Sequence, residues 1–278
     1  MNPRSMFEQR PFATYTLLTY AISWTAWALW ATLSNAGDLA STALFVAGGF
    51  GPVLAALLIL RATGQPIRPW LCRTFRLRVR VRYYLVALTL PTLAVLFAGG
   101  VHAGVFGGAV TPDAIESPLA YPIFLAFILL FAGGQEEPGW RGYLLPRLQE
   151  SHSALTAALA IGVVWAVWHL PLFVLPGTIQ SGMVFPLYLA NVVGLSIVLT
   201  WLTNAAEGSV LPAMILHAGA NAIVNYYPIG GPEGAISLTG YGLLTTAIVV
   251  VAIALVWRYG ADDLAPAETP TTATIAAD

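Results

Sequence analysis

Apolar windows of about 20 residues recur along the whole chain, separated by short polar breaks, and no other feature restricts its fold so severely. Each is long enough to cross roughly 30 Å of hydrocarbon as a helix rising 1.5 Å per residue. Eight are counted, over residues 12 to 33, 42 to 61, 83 to 105, 118 to 138, 155 to 175, 183 to 203, 209 to 226 and 236 to 257. Only 9% of the residues are charged and 58% are hydrophobic, against roughly 25% charged in an average soluble domain. Backbone polar groups in lipid must be satisfied within the segment, and the windows are continuous rather than alternating, which excludes strands. The expected fold is all-α: a polytopic membrane bundle of about eight transmembrane helices. The Gly48-Gly49-Phe50-Gly51-Pro52 run inside the second window predicts a kink there.

The charges are distributed asymmetrically. All 12 basic residues are arginines, and with eight spans every one falls on the same side of the membrane, which the positive-inside rule makes cytoplasmic. Both termini are then cytoplasmic, and the opposite loops hold Asp38, Asp113, Glu116 and Glu233. An integral, multi-pass protein of the plasma (inner) membrane is expected if the source is prokaryotic, with the bilayer as a partner and nucleic acid excluded. The loop after the second span ends in FRLRVRVRYY, whose Arg76, Arg78, Arg80 and Arg82 alternate with aliphatics. That period suits an extended strip at the interface with its arginines toward phosphates, or a plain topological anchor. One membrane domain is expected over 1 to 260, and the Ala, Pro and Thr bias of 261 to 278 predicts a disordered cytoplasmic tail. The single cysteine, Cys72, excludes an intrachain disulfide.

Three groups of polar residues interrupt the apolar spans: Glu136, Glu137 and Arg141; His169; and His217 with Asn221. Ionisable groups at such depth are costly and usually have partners. His217 and Asn221, four apart, share one helix face, with small residues between them. Glu137 and Arg141 have the same spacing, with the acid N-terminal, the better orientation for an ion pair. Glu136 is left outside that pairing. A carboxylate near two imidazoles and a carboxamide can accept a proton from water and offer groups to a metal or an oxyanion, and peptide hydrolysis is the reaction these parts suggest. Each group also has a structural reading: His169 as a strut between helices, Glu137 with Arg141 as a buried pair, Asn221 as helix glue. Counting at 1.5 Å per residue puts Glu136 shallow, His217 deeper and His169 deepest, so tilt or a later entry of the fifth span must bring them together. Pro138 predicts a bend beside the glutamates.

In order along the chain, Glu136-Glu137-x-x-x-Arg141, Trp165-x-x-x-His169 and His217-x-x-x-Asn221 resemble the three motifs of the CAAX protease and bacteriocin-processing (CPBP) family of intramembrane proteases. Trp165 stands where that family usually has phenylalanine. The resemblance implies catalytic roles for Glu136, His169, His217 and Asn221, with Glu136 activating water and Glu137, Arg141 and Trp165 in support. It implies a peptide or protein substrate, lipidated in one subgroup. His169 and His217 with one carboxylate would satisfy a zinc site, or one for another divalent metal, with an open position; the same residues could hold water and an oxyanion without metal. The alternative reading is a catalytically idle membrane scaffold, or a bacteriocin self-immunity protein, binding a partner through the same cavity.

Overall fold

The computed structural model describes residues 10–33, 39–108, 120–226 and 237–267. The expected loops holding Asp38, Asp113, Glu116 and Glu233 lie outside them. The described chain is helical: α1 Pro11–Leu33, α2 Leu39–Gly49, α3 Gly51–Thr63, α4 Ile67–Thr74, α5 Val81–Phe106 and α6 Tyr121–Phe131, then a composite motif helix from Gly134 to Gln149. There follow α7 Ala154–Trp168, α8 Leu170–Val174, α9 Phe185–Ala205, α10 Leu211–Tyr226 and α11 Leu238–Tyr259.

Among the described residues four stretches are long and apolar enough to cross a membrane: Val81–Phe106, Ala154–Val174, Phe185–Ala205 and Leu238–Tyr259. A fifth is the pair α2 and α3, bent by 57° at Phe50, where the Gly and Pro run predicts it. α1 is 23 residues long, but its threonines, serine, tyrosines and tryptophans keep it less apolar than those four. The expected fourth span is not one helix. α6 stops after 11 residues, roughly 16 Å at 1.5 Å per residue, and the chain breaks at Ala132 and Gly133. α9 is the central helix, buried from Gly194 to Ala205. Its partner α7 comes close because Gly162 has no side chain: a Cβ there would lie 2.8 Å from Val193 Cα. Ser196 Oγ donates to the Ala158 carbonyl at 2.7 Å across the same contact.

Two expectations about the surface segments change. Arg76 is a clamp rather than a free strip residue, since its NH2 donates to the carbonyls of Ala206 and Glu207, each at 2.9 Å, and pairs with the Glu207 carboxylate at 3.2 Å. Residues 261 to 267 are structured, which corrects the tail boundary. The amides of Ala154 and Leu155, at the start of α7 where no helical carbonyl can reach them, donate to the carbonyls of Asp262 and Ala261 at 2.7 and 2.9 Å. Asn204 donates to the Asp263 carbonyl at 2.7 Å, and Leu264 is fully buried. The rest of the expected tail, 268 to 278, lies outside the described residues.

Candidate active site

Two helix ends tighten in the same way, and each releases a carbonyl that a polar side chain then takes. After α6, the Glu136 amide bonds the Gly133 carbonyl at 3.0 Å, a three-residue step that leaves the Ala132 carbonyl without a helical partner. Asn221 Nδ2 donates to it at 2.9 Å. At the end of α7 the His169 amide bonds the Ala166 carbonyl at 3.1 Å. The Trp165 carbonyl is then free to accept from His169 Nδ1 at 2.9 Å, which leaves Nε2 as the unprotonated ring nitrogen of a neutral imidazole.

The motif helix is itself irregular: a 3₁₀ turn Gly134–Glu136, an α turn Glu137–Gly139, a π-helical stretch Trp140–Leu144 and a last α turn Leu145–Gln149. Pro138 falls within the α turn, between the 3₁₀ turn and the π-helical stretch. Such π stretches recur at functional sites because the wider turn re-aims side chains. The two glutamates are aimed apart. Glu136 faces a cavity of about 550 Å³, which His169, His217, Asn221, Trp165 and Gln135 also line. Its Oε2 accepts from Trp165 Nε1 at 2.8 Å. Trp165, read from sequence only as a supporting residue, is therefore the group that fixes the carboxylate.

Glu137 points away from the cavity and is fully buried. Its Oε2 lies 2.9 Å from Arg141 NH1, as the spacing predicts, and its Oε1 accepts from His217 Nδ1 at 2.7 Å. The second contact spans 80 residues of chain and has no sequence signature. Arg141 is also fully enclosed, its guanidinium 4.8 Å from the centre of the Trp165 ring. With Nδ1 held by a carboxylate, His217 presents Nε2 to the cavity side, where Asn221 Nδ2 lies 3.4 Å away. An amide nitrogen has two hydrogens. One is committed to Ala132, and the other, on this long contact, can turn to a substrate.

Gly133 seals this corner. A Cβ on it would lie 2.6 Å from Asn221 Nδ2 and 3.2 Å from His217 Nε2, so only glycine lets the backbone press against the pair. Its amide donates to Gln135 Oε1 at 2.7 Å. Gln135, absent from the expected site, thus holds the turn that carries Glu136. The available signal was a carboxamide directly beside two glutamates in an apolar stretch.

His169 sits one turn beyond Trp165 with its ring edge-on to Trp168 and Tyr188, at centroid distances of 4.5 and 5.4 Å. Trp165 links this imidazole to the glutamate, its Nε1 on Glu136 and its carbonyl on His169 Nδ1. His169 and His217 line one cavity, yet among the described residues no three His, Cys, Asp or Glu side chains gather closely enough to hold a metal ion. One nitrogen of each imidazole is held, by Trp165 and by Glu137, and the other is left toward the cavity, as in a histidine that ligates a metal. Among the described residues no third ligand completes such a site.

Most of the remaining lining is apolar, with Leu90, Pro91 and Val95 from α5, Phe127 and Phe131 from α6, and Leu244, Ile248 and Val251 from α11, while Thr42, Thr178, Gln180 and Asn191 add polar groups. The model of the family described as Type II CAAX prenyl endopeptidase Rce1-like matches residues 118–223, an interval that contains every polar site residue named above. A protein of Methanococcus maripaludis named CAAX prenyl protease 2 is 23% identical over 216 residues, covering 73% of this chain and 80% of its own length.

Proposed function

We propose, for a chain that belongs to the CPBP family of intramembrane proteases, that Glu136 activates water for hydrolysis of a peptide bond held in the cavity and that Asn221, beside His217, donates to the oxyanion that develops. The observation that supports this most directly is the division of labour between adjacent glutamates. Glu136 faces the cavity, steadied by the Trp165 N–H, and Glu137 is withdrawn behind His217.

In this reading water gives a proton to the Glu136 carboxylate while its oxygen bonds to the scissile carbonyl carbon. The carbonyl oxygen, now negative, accepts the second Asn221 N–H. Glu136 then returns the proton to the departing amine as the carbon–nitrogen bond breaks, so the residue ends as it began. In this reading His169, which lines the same cavity with Nε2 unprotonated, is a second acceptor for that water. His217, held through Nδ1 by Glu137, keeps a fixed ring plane beside Asn221. The apolar lining fits a substrate with a bulky hydrophobic group next to the scissile bond, and a lipidated peptide presented at the cytoplasmic face is one such substrate.

The test is turnover. Purified protein in detergent is incubated with a peptide library that includes prenylated and unmodified members, and the digest is analysed by mass spectrometry. Cleavage that disappears in His217→Ala supports the assignment, and cleavage by that variant at the parent rate removes it. A protein that binds members of the library and cleaves none is the idle scaffold.

A further inference from the structure

The arginine strip that the catalytic reading leaves unused converges on a second concavity. Arg80 and Arg82, at the start of α5, share a groove of about 500 Å³ with Arg258, at the end of α11, and its far wall is the ordered tail from Asp263 to Ala267. These guanidinium groups are steadied by rings rather than by carboxylates. Arg82 NH2 donates to the Tyr83 hydroxyl at 2.8 Å, and Arg258 lies 5.2 Å from the centre of the Tyr259 ring. Among the described residues the ion pairs are Arg76 with Glu207, and Glu137 with Arg141 and His217. None neutralises the groove. Asp263 lines it but is in no ion pair, its carbonyl being bonded by Asn204. Among the described residues the three cations share one nearby carboxylate, that of Asp263, with which none of them is paired, and the excess positive charge favours an anion between them.

The surroundings indicate where that anion comes from. α5 and α11 are both candidate spans, and the groove lies where they leave the apolar layer. Beside it Trp257 is 86% exposed, and Leu77 and Val81 are 72% and 69% exposed. An exposed tryptophan next to arginines marks the headgroup level of a bilayer. We propose that this groove is a binding site for the phosphate of an anionic phospholipid, its headgroup between Arg80, Arg82 and Arg258 and its chains along the exposed apolar residues of α5. Arginine suits the role, since its planar fork can meet two phosphate oxygens together. The bound lipid ties the end of α5 to the end of α11. Both helices line the active-site cavity farther along, through Leu90 and Val95 on one and Leu244 and Val251 on the other.

The experiment uses the full chain, stripped of lipid in a neutral detergent, with thermal unfolding followed by tryptophan fluorescence. Phosphatidylglycerol, phosphatidylcholine and soluble glycerol 3-phosphate are titrated separately. Saturating phosphatidylglycerol should raise the midpoint by about 5 °C, phosphatidylcholine by far less, and added salt should weaken the effect. Arg80→Gln with Arg258→Gln should lose at least half of the shift. Arg68→Gln with Arg78→Gln, also exposed but outside the groove, should keep it, and Arg80→Lys with Arg258→Lys should keep most of it, which separates lost binding from lost folding. An undiminished shift in the groove glutamine variant, or an equal loss in the control pair, overturns the site. A shift reproduced in full by glycerol 3-phosphate overturns the assignment to lipid and makes the ligand a soluble phosphate ester.

Discussion

Replacing Glu137 by glutamine changes one atom of the side chain and should separate stability from catalysis. The carboxylate has two acceptor oxygens facing two donors, Arg141 NH1 at 2.9 Å and His217 Nδ1–H at 2.7 Å. An amide has one acceptor. Whichever way the substituted amide turned, its NH2 would face a donor, and Arg141, whose side chain has no solvent exposure, would lose its countercharge. Breaking a buried pair from one side costs about 3 to 5 kcal/mol, which at roughly 2 °C per kcal/mol for a chain of this size is a fall in melting temperature of about 6 to 10 °C. Arg141→Met should cost a similar amount, leaving Glu137 buried with only His217. The double variant has no unpaired charge and should melt well above the sum of the two losses, with a coupling of about 2 kcal/mol. Turnover should not follow stability. Arg141→Met keeps the acceptor for His217 and should retain measurable activity. Glu137→Gln, whose single acceptor is drawn to the Arg141 cation, loses the fixed ring and should fall by about 100-fold or more, the scale of a lost transition-state donor, whereas in the double variant the amide oxygen is free to accept from His217 and part of that loss should return. The assay is a double-mutant cycle on melting temperature in detergent, with peptide turnover measured on the same four proteins. Additive melting shifts, or Glu137→Gln turning over within about threefold of the parent, would refute the reasoning.

Glu136→Gln should remove turnover by about a thousandfold, the upper range for a lost general base, and leave the melting temperature within about 2 °C because the new side-chain oxygen still accepts from Trp165 at the same position; substantial residual cleavage would move the base elsewhere. Chelated protein shown to be metal-free by elemental analysis should stay active, since no three-ligand set gathers in the described residues; activity lost and restored by one equivalent of zinc would make His169 and His217 ligands. Cys72 is exposed on α4, so a membrane-impermeant maleimide should label it only when the cytoplasmic face is opened; labelling in intact cells would reverse the orientation.

The elements that sequence describes well are those whose cause is local. The bend in α2 and α3 follows from Gly48 to Pro52, and the Glu137–Arg141 pair follows from a spacing of four on a helix. The fourth span shows where local reading fails. Pro138 draws attention as the helix breaker, but the larger break precedes it at Ala132 and Gly133. Hydropathy averages over this break because the apolar run before it, Pro118 to Phe131, outweighs the few polar residues after it. The tail fails for the opposite reason. Composition reads 261 to 278 as unstructured, but one leucine, Leu264, and three backbone carbonyls are enough to dock its start.

The site shows the same division between what one helix fixes and what several must assemble. Spacing along one helix puts His217 and Asn221 on one face and sets Glu136 apart from Glu137, and both inferences rest on the 100° step of the helix. No spacing says which way that face turns toward another helix, so the bond from His217 to Glu137 could not be read, and Glu137 looked like a partner for Arg141 alone. Depth counted from the ends of the spans sets His169 apart, and it lies one turn beyond Trp165, the residue bonded to Glu136. The Trp165 indole closes that gap, with its N–H on the carboxylate and its carbonyl under the imidazole. The large aromatic in place of phenylalanine therefore bears on the chemistry: phenylalanine has no ring donor, so a chain with it there must hold the carboxylate corresponding to Glu136 by another group or by water. Trp165→Phe places this chain in that situation, and the rate it retains measures how much of the function of Glu136 depends on being held still.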